Sequence, residues 1–441
     1  MKILAIETSC DETAISIINI HKKANSSTPK FTILGNQLFS QAKIHAQYGG
    51  VFPMVAKREH CKIIVPLLKL ALVEAKMFKE QKKPITLGED EKIYKKIFTK
   101  EPELFERFSV LIKNTKNPKI DTIAVTKGPG LEPALWVRIN FAKALAHAWN
   151  IPILPINHME GHIVVASLLK LKCKNMSYAK AWNQNVHPVK CEAIFAKQKL
   201  FNRVNPVKSC KAGAEQFNRV KIVKVKFPAV ALLISGGHTE LVLIKKEFAY
   251  KILGKTRDDA VGEAYDKVAR MLGLPYPGGP QISKLADTVP NKSSRFPLPC
   301  PMLNSNNFDF SFSGLKTAVL YTIKKIPRLT QKIKAEIANE FENAVVEVLL
   351  KKTLHAAQKH KVQTIILGGG VSANKRLREC FQNMTKENNI ELLLPESALS
   401  TDNALMIATA AYRRATRPNK KTKLTTPKQK ASLTACGTLT L

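Results

Sequence analysis

Ala229-Val230-Ala231-Leu232-Leu233-Ile234-Ser235-Gly236-Gly237-His238-Thr239-Glu240-Leu241-Val242-Leu243-Ile244 reads as two β runs joined at a glycine turn. Lys2-Ile3-Leu4-Ala5-Ile6-Glu7, with Thr13–Asn19 after it, opens the chain in the same way. Both are rich in the apolar and β-branched residues that favour strands. A third strand follows each opening, over Phe31–Ser40 and Tyr250–Leu253. The first half continues with apolar residues at helical spacing from Pro53 to Phe78 (Val55, Ile63, Ile64, Leu67, Leu68, Leu72). A strand over Asp121–Thr126, a helix over Pro133–Trp149, a strand over Ile151–Ile156 and a helix over His158–Leu169 complete it. In the second half, helices over 260–272, 281–287, 314–325 and 332–360 precede a strand at Thr364–Leu367. A helix over Ser372–Asn383, a strand over Glu391–Leu394 and a helix over Asp402–Arg413 close it. A βββαβα pattern written twice predicts an α/β protein of two similar lobes. Its ligands are expected in the cleft where strand ends and helix starts converge.

The chain has 441 residues, 45 % of them hydrophobic, with 70 Lys+Arg against 34 Asp+Glu and a formal charge of +36. This mixture excludes wholesale disorder and a small disulfide scaffold. No apolar run approaches the ~20 residues of a spanning helix. The first residues do not read as a secretory signal, and eight cysteines without a Cys-x-x-Cys fit reduced thiols, so a cytoplasmic location is expected. The excess charge points to a polyanionic partner. It is concentrated: 79–119 carries a net +4, 168–226 a net +12, and 413–441 has eight basic residues and no acid. The organisation expected is an N-terminal lobe over 1–167 with an insertion at 79–119, a basic insertion over 168–227, a C-terminal lobe over 228–412, and a disordered basic tail over 413–441.

His158-Met159-Glu160-Gly161-His162 sits at the start of a predicted helix, where residues four apart share a face. The pair reads equally as two unrelated histidines or as two ligands of one metal ion. Asp402, in Thr401-Asp402-Asn403, is the obvious third ligand. The zinc-protease motif differs, because its general-base Glu directly follows the first His, where Met159 stands here. Ser235 to Thr239, Gly368-Gly369-Gly370, Gly128-Pro129-Gly130 and Pro277-Gly278-Gly279-Pro280 are turns at which backbone can approach a phosphate. Each alone also fits a plain turn, and the P-loop pattern is absent. Asp11 or Glu12 can orient a nucleophile or a metal-bound water, and Asp266 can accept hydrogen bonds from a ribose or a substrate amine; capping and surface salt bridges account for such carboxylates equally well. Cys173, Cys191 and Cys210, with His187 among them, match no structural zinc spacing.

Nine segments in order carry a resemblance: Ile6 to Thr13, His45 to Val51, Gly128 to Leu131, His158 to His162, Leu233 to Thr239, Tyr276 to Pro280, Asp309 to Thr317, Gly369 to Asn374 and Thr401 to Asn403. Together they resemble the TsaD family, the tRNA N6-adenosine threonylcarbamoyltransferases once named O-sialoglycoprotein endopeptidases or glycoproteases, in its bacterial form. The resemblance implies an actin-like fold of the Hsp70 and sugar-kinase type. It implies transfer of threonylcarbamoyl from threonylcarbamoyl-AMP to N6 of adenosine 37 of tRNA, forming t6A, with AMP released. It carries one metal ion, Fe2+ or Zn2+, to His158, His162 and Asp402. It carries substrate contacts to Leu233, Ile234, Ser235, Gly236, Gly237, Asp266, Gly279 and Asn374, and leaves Asp11 or Glu12 as the base. It also implies a TsaB-like partner subunit, a TsaE-like ATPase, and a TsaC-like enzyme that supplies the intermediate. The insertions lie outside the family pattern and are expected to grip tRNA. Two other readings are a metalloprotease, opposed by the misplaced Glu160, and a non-catalytic tRNA-binding scaffold, opposed by retention of the three metal ligands.

Overall fold

The computed structural model describes residues 1–21, 29–170, 219–289, 295–417 and 433–441. β1 (Lys2–Glu7), β2 (Glu12–His21) and β3 (Lys30–Ser40) form an antiparallel meander. β4 (Thr122–Gly128) joins β1 in parallel, and β5 (Ile153–Asn157) joins β4. The order is therefore β5-β4-β1-β2-β3, continued at one edge by β7 (Arg219–Ile222) and β6 (Leu168–Lys170). The second sheet repeats the five-strand order. β8 (Ala229–Ile234), β9 (Thr239–Lys246) and β10 (Ala249–Lys255) form the meander, and β11 (Thr364–Gly368) and β12 (Glu391–Leu393) extend it as β10-β9-β8-β11-β12. The chain is thus an α/β protein of two like lobes, with the duplicated strand pattern expected from the sequence.

The central strands are continuous apolar runs because both faces are covered. Ile3, Leu4, Ala5 and Ile6 are fully buried. On one face lie α2 (Pro53–Glu74) and α5 (Glu132–Ala148), whose Leu68, Leu72, Val137 and Phe141 pack with Leu4 and Ile6. On the other face lies α12 (Ala404–Ala415), whose Leu405, Met406 and Ile407 pack with Ile3, Ala5 and Ile18. The last helix, expected in the C-terminal lobe over 228–412, thus docks on the N-terminal sheet. Ala404, Ala408, Ala410 and Ala411, all fully buried, leave its axis close to β1 and β2. Between the sheets lies α6 (His158–Val165), with Met159 and Ile163 against Ala231, Leu233 and Ile366 of the second.

Within 79–119, α3 (Asp90–Ile97) and α4 (Pro102–Asn114) form, with Tyr94, Phe98, Leu104 and Phe108 buried against the N-terminal core. Of the 168–227 stretch, β6 and β7 pair antiparallel, while 171–218, with Cys173, His187, Cys191 and Cys210, lies outside the described residues. The expected disordered tail over 413–441 requires correction for its described parts. Arg413 to Ala415 end α12, and Leu433–Leu441 is docked on the N-terminal lobe. There the Cys436 N–H donates to Lys127 O (3.1 Å), Gly130 N–H to Gly437 O (3.2 Å), and Asn157 Nδ2 to Thr440 O (3.1 Å). These bonds use backbone atoms of the tail, which a polar composition does not disfavour. Among the described residues no helix is long and apolar enough to cross a membrane.

Candidate metal centre and its surroundings

Asn157 caps α6, its Oδ1 accepting from the Met159 and Glu160 N–H groups at 2.9 and 3.3 Å. The helix so begun places His158 and His162 on one face, with ring centroids 4.7 Å apart. Their Nε2 atoms are 3.1 Å apart, and Asp402 Oδ1 lies 3.3 Å from His158 Nε2 and 3.1 Å from His162 Nε2. Asp402 immediately precedes Asn403, the cap of α12, whose Oδ1 accepts from Met406 N–H at 3.0 Å. Gly161 allows this meeting of helices, since a Cβ there would come within 3.1 Å of Met406 and Ile407. Two imidazoles and a carboxylate suit iron or zinc. Donor atoms spaced at 3.1–3.3 Å have the separation found around a tetrahedral ion with bonds of ~2.0 Å. The residues present therefore fit one ion.

A buried layer orients these donors. Glu7, at the end of β1, lies 3.4 Å from His158 Nδ1 and accepts from Arg138 Nη1 (3.1 Å), the Ser9 N–H (2.6 Å) and Thr126 Oγ1. Ser9 Oγ donates to Asp402 Oδ2 at 3.0 Å. Burial alone would raise the Glu7 carboxyl, but Arg138 and His158 hold it down to about 2. Burial would lower His158, yet Asp402 and Glu7 raise it to about 10. Asp402 is held well below the usual carboxylate range, its burial outweighed by His158 and His162. Glu160 points away: it is fully buried and pairs with Arg414, whose Nε donates to its two oxygens at 3.0 and 2.7 Å. It is not placed to serve as a protease's base.

Facing this centre is the rim of the second lobe. Burial, with nearby His158 and His162, lowers His238 to about 4. Ser235 Oγ accepts from the Gly237 and His238 N–H groups at 3.3 and 3.1 Å, shaping the β8–β9 turn. At Gly236 and Gly237 the Cβ positions open into free space. α7 (Val261–Met271) carries Asp266, whose Oδ1 accepts from Gly278 N–H at 2.7 Å and so holds the start of α8 (Gly278–Ala286), with Gly279 open beside it. Gly369, at φ 88°, takes a conformation that side chains rarely adopt, where a Cβ would strike Ile234 O. On the first lobe Asp11 and Glu12 lie at the β1–β2 turn. Burial, then Asp11 and Asp402, pushes Glu12 well above its ordinary value.

The chain is similar to known proteins. The model of the family TsaD, tRNA N6-adenosine threonylcarbamoyltransferase, matches residues 32–89, 109–176 and 196–409. A tRNA N6-adenosine threonylcarbamoyltransferase of Staphylococcus haemolyticus is 38 % identical over 414 residues, covering 93 % of this chain and 90 % of that protein. One of Thermosipho africanus is 37 % identical over 413 residues, covering 94 % of each. The chain belongs to the TsaD family. Among solved structures, component A of the Acidaminococcus fermentans (R)-2-hydroxyglutaryl-CoA dehydratase is similar at TM-score 0.39 and 11 % identity, over 98 % of this chain and 99 % of that one. Full-length HypF is similar at TM-score 0.42 and 12 % identity, over 73 % of this chain and 50 % of that one.

Of the residues that the TsaD resemblance singles out, the structure brings His158, His162 and Asp402 into one cluster. Ser235, Gly236 and Gly237 lie in the β8–β9 turn, Asp266 on α7 and Gly279 at the start of α8. Leu233 and Ile234 are fully buried in β8, so only their backbone can serve a ligand. Asn374 is a helix cap: its Oδ1 accepts from Leu377 N–H (2.8 Å), and its Nδ2 donates to Ser283 Oγ (2.9 Å) and Glu342 Oε1 (2.6 Å). Glu7, Ser9 and Arg138 escaped the sequence reading as parts of the centre. Glu7 and Ser9 lie in a quoted motif, but Arg138, in the middle of a helix, carries no local signal.

Proposed function

We propose that this chain performs the TsaD reaction, transfer of threonylcarbamoyl to N6 of an adenosine in tRNA, with His158, His162 and Asp402 holding one divalent ion, iron or zinc. The near full-length family match carries the activity. The donor set and the buried carboxylate behind it support the ion. When bound, such an ion supplies Lewis-acid polarisation and stabilises developing negative charge. In the reaction the adenine N6 bonds to the carbamoyl carbon of threonylcarbamoyl-AMP, the bond from that carbon to the phosphate oxygen breaks, and AMP leaves. The open glycine turns at Gly236, Gly237 and Gly279 let backbone approach the adenylate, and Asp266 fixes the α7–α8 junction beside it. Glu12, its carboxyl pushed above the usual carboxylate range by burial and by Asp11 and Asp402, and Asp11 beside it are the candidates to take the amine proton. The partner set is a TsaB-like subunit, a TsaE-like ATPase and a TsaC-like supplier, and the location is cytoplasmic, as the family resemblance suggests. The lobes divide at 1–167 and 228–412, with α12 shared. Reconstitution with tRNA, threonine, bicarbonate, ATP and the partner proteins, read by nucleoside mass analysis, tests this. Threonylcarbamoyl-adenosine is expected from the wild type and is lost in His158→Ala and Asp402→Ala. Full activity in metal-free Asp402→Ala would overturn the metal assignment, and no product from the wild type would overturn the activity.

A further inference from the structure

Tyr48, Phe52 and Met54 are 56 %, 54 % and 57 % exposed, a concentration of large apolar surface within seven residues. The two rings stack on one another, with centroids 6.0 Å apart and planes at 27°. The loop that carries them is not loosely held. Its Phe52 N–H donates to His45 Nδ1 at 3.3 Å, which leaves the His45 Nε2–H to donate to Gln41 Oε1 at 3.1 Å. Gln41 Nε2 then donates to His60 Nδ1 (3.1 Å), and His60 Nε2–H to Cys10 O (3.0 Å). His45, Gln41 and His60 are fully buried, and Gln41 N–H also reaches Asp11 O at 2.9 Å. A one-directional chain of donors therefore runs from the exposed loop to the turn that bears Asp11 and Glu12. From the second lobe, Arg270 of α7 donates to Gly49 O. The loop is thus fixed from both sides of the cleft.

From these observations we infer that Gln47–Met54 is a stacking surface for unpaired bases of the RNA substrate, next to the acceptor adenosine. This rests on the reading of the chain as a tRNA-modifying enzyme. An exocyclic adenine amine can be reached only in a base that is unpaired or drawn from its stack. Its neighbours then lose stacking partners, and exposed aromatic faces on rigid supports replace them. The surrounding charge agrees. Between Gln41 and Arg58 there is no Asp or Glu, and Lys43 and Arg58 are exposed there, as is Arg270. An aromatic platform bordered by cations suits a phosphate-linked strand of bases.

Equilibrium binding of full-length wild-type and variant chains to tRNA, between 50 and 200 mM salt, tests the assignment. Tyr48→Ala/Phe52→Ala is expected to bind about 5- to 100-fold more weakly with an unchanged salt slope, since stacking and not phosphate contact is lost. Lys43→Ala/Arg58→Ala is expected to lower the slope by about one per contact. Tyr48→Trp keeps the affinity, and its fluorescence is quenched at saturating tRNA. Unchanged affinity of the double alanine variant, or unquenched Trp emission, overturns the platform. Loss of partner-subunit binding with RNA affinity intact also overturns it, and assigns the surface to a protein. Failure of the wild type to bind tRNA overturns the functional reading instead. Because both rings lie outside the core, the single variants Tyr48→Ala and Phe52→Ala serve where the double variant melts early.

Discussion

Arg138 is fully buried, with Nε donating to Thr126 O at 2.7 Å and Nη1 to Glu7 at 3.1 Å. Such a pair is dangerous to halve, because the remaining charge has no water to turn to. Arg138→Met is therefore expected to destabilise the fold by about 3–5 kcal/mol in denaturant unfolding. Adding Glu7→Leu is expected to restore much of that, a coupling that independent sites do not show. His60 makes a different prediction. Its Nε2–H is committed to Cys10 O, so Nδ1 must accept from Thr13 Oγ1 (2.7 Å) and Gln41. Burial lowers its pKa to about 4, below the ~6.5 of an unfolded chain. Between those values the unfolded state binds more protons, so the His60 contribution is complete above pH ~6.5 and is lost as pH falls towards 4. The loss totals on the order of 3 kcal/mol. Unfolding measured at pH 7, 6 and 5 is expected to show a shallower pH slope for His60→Gln; equal slopes would contradict this account.

At the scale of elements, helices that frame the centre begin with asparagine: Asn157 before His158, Asn403 after Asp402, and Asn374 at the start of α11 (Lys375–Glu387). Asn403 does more than cap, since its Nδ2 donates to Leu399 O (3.1 Å) and Thr401 O (2.8 Å) and so fixes the loop holding Asp402. Asn403→Ala is expected to lose ~1 kcal/mol of stability and to release its metal to a chelator more readily. Asn403→Ser, which keeps a capping acceptor but loses the amide Nδ2 that reaches Leu399 O and Thr401 O, should fall between. The caps show how far the sequence could be read. The strands of both meanders and the helices over 132–148 and 404–415 were legible because burial writes its period into the residues. The His158, His162 and Asp402 cluster was legible because two of its members share one helix and the third begins another. α4 was not recognised, although Leu104, Phe108, Leu111 and Ile112 recur at helical spacing, because Glu and Lys around them read as a charged loop. The docked segment Leu433–Leu441 left no trace at all. Apart from the buried Leu433, its hydrogen bonds are made by backbone atoms, which every residue carries alike.

Across the whole molecule, most of the +36 charge lies in 79–119, 168–226 and 413–441, while the metal centre is framed by carboxylates. Net charge and catalytic geometry are thus assigned to different parts of one chain, and charge so placed is suited to long-range attraction of a polyanion. The first lobe, however, is not self-sufficient. Ile3, Ala5, Ile18 and Leu154 are covered by Leu405, Met406 and Ile407 of α12. Expressed alone, residues 1–227 are expected to lack fixed tertiary packing, seen as weak near-UV circular dichroism and dye binding. A cooperative melt from that fragment would contradict the shared core. The same helix has a consequence for biosynthesis. The cover of β1 is translated roughly 400 residues after β1 itself, which at about 5–20 residues per second is a delay of about 20–80 s. Through that interval the nascent chain carries a sheet with one oily side bare. Its successful production therefore depends on whatever shields that side until α12 arrives.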